Sequence, residues 1–322
     1  MAATPGPRPI LSDRSADLLD PAPLIRSGRF ARAGWAASLI SFAVLAAAIW
    51  QWSQLDRAMF ASLLPVTASF WLVYAVYYLL GPASEWIIFR RLWRLPASGI
   101  VPLLRKKVSS ELVVGYLGEV YFYLWARRRS EISAAPFGAS KDVAILSAVC
   151  GNAITLAMLL IGARWVGDDF LLNGLPLDRT ALALSVVVMA GSSVMLVMLR
   201  RHVLSLPGRE LVFVTLVHCA RIVIGIVLLA VMWSLALPQV ALAWWVLLAM
   251  LRQLVTRLPF IANPDVIFAA AAIFLVGEDE RIAGLMALVA GIVLATHIVV
   301  GIALALVELV SHDRSGERGA DR

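Results

Sequence analysis

The chain has 322 residues, 61% of them hydrophobic and 15% charged, and its 28 lysines and arginines against 21 aspartates and glutamates leave a net charge of +7. Soluble domains carry about 25% charged residues, so this balance, with a mean hydropathy of +0.85, excludes an ordinary soluble domain and indicates a polytopic membrane protein. Most of the basic residues cluster in short loops, which is a topology signal and not a nucleic-acid footprint.

Residues 1–32, with Pro5, Pro7, Pro9, Pro21 and Pro23, read as a flexible cytoplasmic tail. The first apolar stretch begins near Ala33 and ends without a small-residue cleavage site, so no signal peptide is expected. A transmembrane domain is predicted over 33–310, starting with a span at 33–52 that ends on Trp50 and Trp52 and a second at 58–80 that stops at the Gly81-Pro82 break. A basic segment follows, with Arg90, Arg91, Arg94, Arg105, Lys106 and Lys107, then an apolar segment at 108–126 that runs into Arg127, Arg128 and Arg129. Basic loops on both sides predict that 108–126 enters and leaves on one face, as a re-entrant or interfacial segment.

Later spans are predicted at 143–163, 181–199, 210–236, 238–256, 264–277 and 284–310, with 311–322 as a second cytoplasmic tail. Their loops alternate in charge: Asp168-Asp169 and Glu278-Asp279-Glu280 are acidic, Arg200-Arg201 and Arg252 to Arg257 basic. About eight crossings with both termini cytoplasmic fit this alternation. The fold class is therefore an all-α membrane helix bundle, and the location a bacterial-type inner membrane. The segment at 264–277 is short and follows the Pro259 and Pro264 break, so a half-helix is an alternative there.

On a helix, Glu111, Gly115, Gly118 and Glu119 share one face of 108–126, with Tyr116, Tyr121, Phe122, Tyr123 and Trp125 around the rest. That face either lines a polar cleft or packs its glycines while the glutamates reach water. Deeper polar groups sit at one level of three spans: Asn152 and Thr155, His218 and Arg221, and His297. Asn152 and His297 each have an ordinary interior reading, as interhelical hydrogen-bonding groups. Arg221 is different, because a guanidinium near mid-bilayer cannot shed its charge and costs from about 3 to more than 10 kcal/mol without a partner. Arg252 can extend to the interface, and the Trp244-Trp245 pair reads as interfacial or lipid-facing. Cys150 and Cys219 lie in apolar runs, where a thiol behaves as a small hydrophobe.

No HExxH, GxSxG, P-loop or GxGxxG motif occurs and no histidine pairing suggests a metal, so neither cofactor nor metal is expected. Asp168-Asp169 resembles the acidic pair of a lipid-linked sugar transferase, but an acidic solvated loop is the simpler reading, and an enzyme is not the favoured class.

The Gly118-Glu119 segment followed by Arg127 to Arg129, with the Leu258-Pro259 break before an alanine-rich stretch, resembles the flippase-like membrane domain of lysylphosphatidylglycerol synthases and its stand-alone relatives. That family carries Asn-x-x-x-Pro-x-x-x-Gly-Glu-x-x-Arg before an arginine-rich turn. Here its proline position falls near Val114-Gly115 and its arginine position on Phe122, and its later Glu-Arg-x-x-Asp motif has no counterpart in 148–155. The resemblance spans roughly 35–310 and implies movement of lipids between leaflets. The expected function is transport of an anionic lipid or lipid-linked envelope precursor, bound by Glu111, Glu119, His218, Arg221, Asn152 and His297. The expected partners are the bilayer, that lipid, and a second copy or an envelope-biosynthesis protein, with no nucleic acid. A membrane scaffold or a small glycosyl- or acyl-transferase are the other readings.

Overall fold

The computed structural model describes residues 67–112, 117–127, 136–166, 179–255, 268 and 280–320. All its regular elements are helical: α1 (Ala68–Trp93), a 3-10 turn (Ala97–Gly99), α2 (Ile100–Leu112), α3 (Leu117–Arg127), α4 (Pro136–Val166), α5 (Arg179–Val203), α6 (Gly208–Ala236), α7 (Leu242–Val255) and α8 (Glu280–Ala320). Among the described residues, four stretches are long and apolar enough to cross a bilayer: Ala68–Trp93, Gly138–Ile161, Gly208–Ala236 and Gly284–Val307. Their exposed side chains include Leu72, Leu160, Val212, Leu216, Val223, Val299 and Leu306, an apolar surface that suits a lipid environment. The protein is membrane-embedded and all-α.

Of the eight crossings expected from sequence, these four are matched by span-length helices. Two others correspond to α5 and α7, whose apolar stretches, Val186–Arg200 and Leu242–Leu254, are shorter. The expected spans at 33–52 and 264–277 fall outside the described residues, Phe268 excepted, as do the first tail and the Asp168-Asp169 loop.

The break expected at Gly81-Pro82 does not occur, because α1 runs through Pro82 to Trp93. Proline lacks the N–H that would donate to the Tyr78 carbonyl four residues back, a loss that a helix in apolar surroundings tolerates. Ser84 Oγ donates to the Gly81 carbonyl at 2.7 Å. The helix therefore ends at Trp93, well beyond the expected stop at residue 80, and Arg94, with a φ of 53°, turns the chain out of the helical path. Proline then starts the next elements, Pro96 capping the 3-10 turn and Pro136 opening α4 where a missing N–H costs nothing.

The chain divides into two compact units. In the first, which contains Arg57–Ser84 and Gly138–Leu288, α4 is the centre. Asn152 Nδ2 donates to Ser193 Oγ of α5 at 3.4 Å, while Asp142, ten residues earlier, meets the far end of the same helix, so α4 and α5 run antiparallel. Asp142 is fully buried, and its Oδ2 accepts from Ser205 N at 2.7 Å, Ser205 Oγ at 3.0 Å and Leu206 N at 2.7 Å. One carboxylate thus closes the turn from α5 into α6. Next, α6 packs on α7, with the Trp233 and Trp245 rings 5.9 Å apart and Trp233 stacked on Phe268 at 6.1 Å. Trp245 is completely buried, so the expectation of a lipid-facing tryptophan pair holds only for its exposed neighbour Trp244.

The second unit contains Glu85–Phe137 and Val289–Arg322. Here α2 and α3 form a helical hairpin around an aromatic core. Phe89 stacks on Trp93 at 4.4 Å and meets Phe122 at 4.8 Å, and Phe122 stacks on Trp125 at 5.7 Å. Arg105 Nη2 of α2 donates to the Leu304 carbonyl of α8 at 2.8 Å.

Asp142→Ala removes the acceptor from two backbone donors and a hydroxyl that burial shields from water, so it lowers unfolding free energy by about 3 kcal/mol. Asp142→Asn, which keeps an acceptor oxygen, costs clearly less. Thermal melts of the two purified variants in one detergent check the order.

Candidate functional site

Two polar centres stand out, one in each unit. The first is on the hairpin. Lys106 points from α2 into the space between α1 and α3, where its Nζ lies 2.9 Å from both carboxylate oxygens of Glu85 and 2.7 Å from Glu119 Oε2. The lysine side chain is 8% exposed, that of Glu85 16% and that of Glu119 38%, so the cluster is closed on the α1 side and opens at Glu119. The Phe122 ring lies 5.7 Å from the ammonium, and Arg105 stands 5.7 Å over Tyr121 beside it. Gly118 sets this geometry. A Cβ there would overlap the Lys106 carbonyl and Ser110 Oγ, so only glycine lets α3 approach closely enough for Glu119 to reach Lys106.

Burial works against the Lys106 charge, but Coulomb attraction and hydrogen bonds from Glu85 and Glu119 outweigh it and raise the pKa above the ordinary lysine value. The ammonium is therefore permanent at neutral pH. Buried ion pairs add little net stability relative to apolar packing, yet removing one member leaves uncompensated charge and costs about 3–5 kcal/mol. Lys106 is best understood as the tie that holds α2 to α1 and α3.

The second centre lies between α4 and α6 in the first unit. Arg221 is the fourteenth residue of α6, about 20 Å along a helix of roughly 43 Å. Its Nη2 donates to Ser147 Oγ of α4 at 2.9 Å. Cys150, one turn further along α4, places its Sγ 3.6 Å from the Thr215 carbonyl, so the two helices run antiparallel here. His218, one turn before Arg221, is fully buried on the inner face of α6 with Val214, Ile222 and Leu229. Within this unit and among the described residues, no carboxylate forms an ion pair with Arg221; its hydrogen-bond partner is a neutral hydroxyl.

The six residues expected to bind substrate separate as follows. Asn152, His218 and Arg221 belong to the first unit, and Glu111, Glu119 and His297 to the second. Asn152 bonds Ser193, and His297 is buried with Nδ1 2.8 Å from the Val293 carbonyl of its own helix. Glu111 is exposed near the end of α2, while Glu119 is held by Lys106. Sequence reasoning missed Glu85, Lys106, Asp142 and Ser147. A helix stopped at Pro82 leaves Glu85 in a loop and hides its need for a cation; continuing the helix would have exposed that need. Ser147 and Asp142 carry no local signal, because their partners lie 74 and 63 residues away. Among the described residues no group of three or more His, Cys, Asp or Glu side chains could hold a metal.

The chain matches no known family, no curated protein and no solved structure.

A folded-state pKa above the usual 10.5 means that the stabilisation from Lys106 is complete below that value and is lost as pH rises through the raised one. The melting temperature of the natural protein therefore includes an alkaline step that is absent from Lys106→Met, which is already destabilised at neutral pH. Melts from pH 7 to beyond pH 11 measure both effects.

Proposed function

We propose that this chain is a flippase-like transporter that moves or handles an anionic lipid or lipid-linked envelope precursor, with Arg221 as the group that holds the phosphate or carboxyl headgroup. The single observation that carries this reading is the Arg221 environment: a permanent guanidinium midway along a span-length helix, bonded to the hydroxyl of Ser147. A charge at that depth needs an anionic or hydrated partner. A headgroup supplies one reversibly, by paired hydrogen bonds to the planar fork. Ser147, accepting from Arg221, keeps its own proton to donate to a second headgroup oxygen.

The finer topology belongs to the same proposal. Eight crossings lie in a bacterial-type inner membrane with both termini cytoplasmic, and the α2–α3 hairpin dips in from the cytoplasmic side. Its two helices have 13 and 11 residues, about 20 and 17 Å, too short to cross a hydrocarbon layer of about 30 Å. The likeness to the membrane domain of lysylphosphatidylglycerol synthases supports lipid as the cargo class.

In vesicles carrying a fluorescent phosphatidylglycerol, the natural protein exposes inner-leaflet probe to a membrane-impermeant reductant. Arg221→Ala and Arg221→Lys slow that exposure by roughly 10- to 100-fold, the loss expected for a charge-assisted hydrogen-bonded contact, at unchanged protein level. Equal rates for the natural protein and Arg221→Ala, or natural protein no faster than empty vesicles, contradict the proposal.

A further inference from the structure

The last turns of α1 carry a positive feature that the Arg221 centre does not use. Ile87, Arg90, Arg91 and Arg94 recur at intervals of three and four and share one face, and all four are exposed. Trp86 borders them. Its ring lies under the Arg90 guanidinium at 4.8 Å, and its Nε1 donates to the Pro96 carbonyl at 3.0 Å, which fixes the turn that carries Arg94. Leu95, the next residue, is buried and anchors that turn against Gly99.

The surroundings say what this face meets. Earlier in α1 the exposed side chains are Trp71, Leu72, Val76 and Leu79, and Ile87 and Val101 flank the arginines. From Ala68 to Ile87 the helix rises about 29 Å, close to the thickness of the hydrocarbon layer. The arginines therefore begin where lipid headgroups begin. A tryptophan with clustered arginines is the side-chain chemistry suited to that depth.

Arg94 adds an independent observation. It is the one non-glycine residue with positive φ among the described residues. In the left-handed region a Cβ meets steric conflict that glycine avoids, so glycine would end this helix more easily. The arginine is nevertheless exposed, and among the described residues it forms no ion pair. Backbone strain kept for the sake of an outward charge implies a ligand outside the chain.

We propose that Arg90, Arg91 and Arg94, with Trp86, form a surface site for the headgroup of an anionic phospholipid in the leaflet that meets the C-terminal end of α1. The arginines bind the phosphate while Ile87 and Val101 contact the upper acyl chain. This site is separate from the Arg221 centre and does not depend on its role.

Full-length protein in micelles containing equimolar phosphatidylglycerol and phosphatidylcholine, analysed by native mass spectrometry, tests it. Every protein carries Arg221→Ala, so that centre cannot contribute. The expected result is preferential retention of phosphatidylglycerol, which falls about fivefold for each arginine lost in Arg90→Gln and Arg90→Gln/Arg94→Gln, and weakens with salt. Arg94→Gly guards against misfolding: relief of the left-handed backbone raises its melting temperature without lipid, while its phosphatidylglycerol preference falls. A parent with no preference between the two lipids overturns the proposal, and so does an unchanged preference in Arg94→Gly.

Discussion

Charge in a water-poor interior is the constraint on which this structure depends. A mostly apolar chain has little solvent inside its helix packing, so each charged group there must find a partner or face a hydrated or headgroup region. Three groups meet this demand in three ways. Lys106 has two carboxylates, Asp142 has three hydrogen-bond donors from one turn, and Arg221 has a hydroxyl. The first two arrangements are closed and hold helices together. The third leaves charge available for something that comes and goes.

The closed arrangements explain local architecture. Lys106 joins three helices, its contact with Glu119 requires glycine at position 118, and the aromatic stack of Phe89, Trp93 and Phe122 surrounds the junction. In the other unit, the Asp142 carboxylate fixes the turn from which α6 departs, and the start of α6 determines which face carries His218 and Arg221 inward. The Asp142 carboxylate and the proposed binding arginine are thus linked through one helix, within one unit.

Helical class and membrane embedding were legible in composition, since few charges and long apolar runs admit little else. Span boundaries were legible where apolar runs met a charge or a proline, as for α6, expected at 210–236 and observed at Gly208–Ala236, with Arg209-Glu210 at its start and Pro238 just past its end. The boundary expected at Pro82 differs from the observed one, because proline's breaking effect in soluble helices does not carry over to a long apolar helix that tolerates one missing bond. The polar residues were visible as residues, but their partners were not. Arg221 could be flagged from depth alone, whereas Lys106 looked like one more solvated basic residue until α1 and α3 closed around it. Trp245 was misjudged for the same reason: hydropathy does not distinguish a face that packs on a neighbouring helix from one that meets lipid.

The central claim is that Lys106 is a closed structural charge and Arg221 an open one. Replacing each by methionine, which keeps length and removes charge, and measuring both melting temperatures in the same detergent at neutral pH tests this most directly. Lys106→Met leaves two carboxylates without their cation and loses about 3–5 kcal/mol. Arg221→Met removes a charge that has no carboxylate partner among the described residues, and its melting temperature stays at or above that of the natural protein. A loss in Arg221→Met as large as in Lys106→Met would reveal a permanent anionic partner for Arg221 and contradict the account.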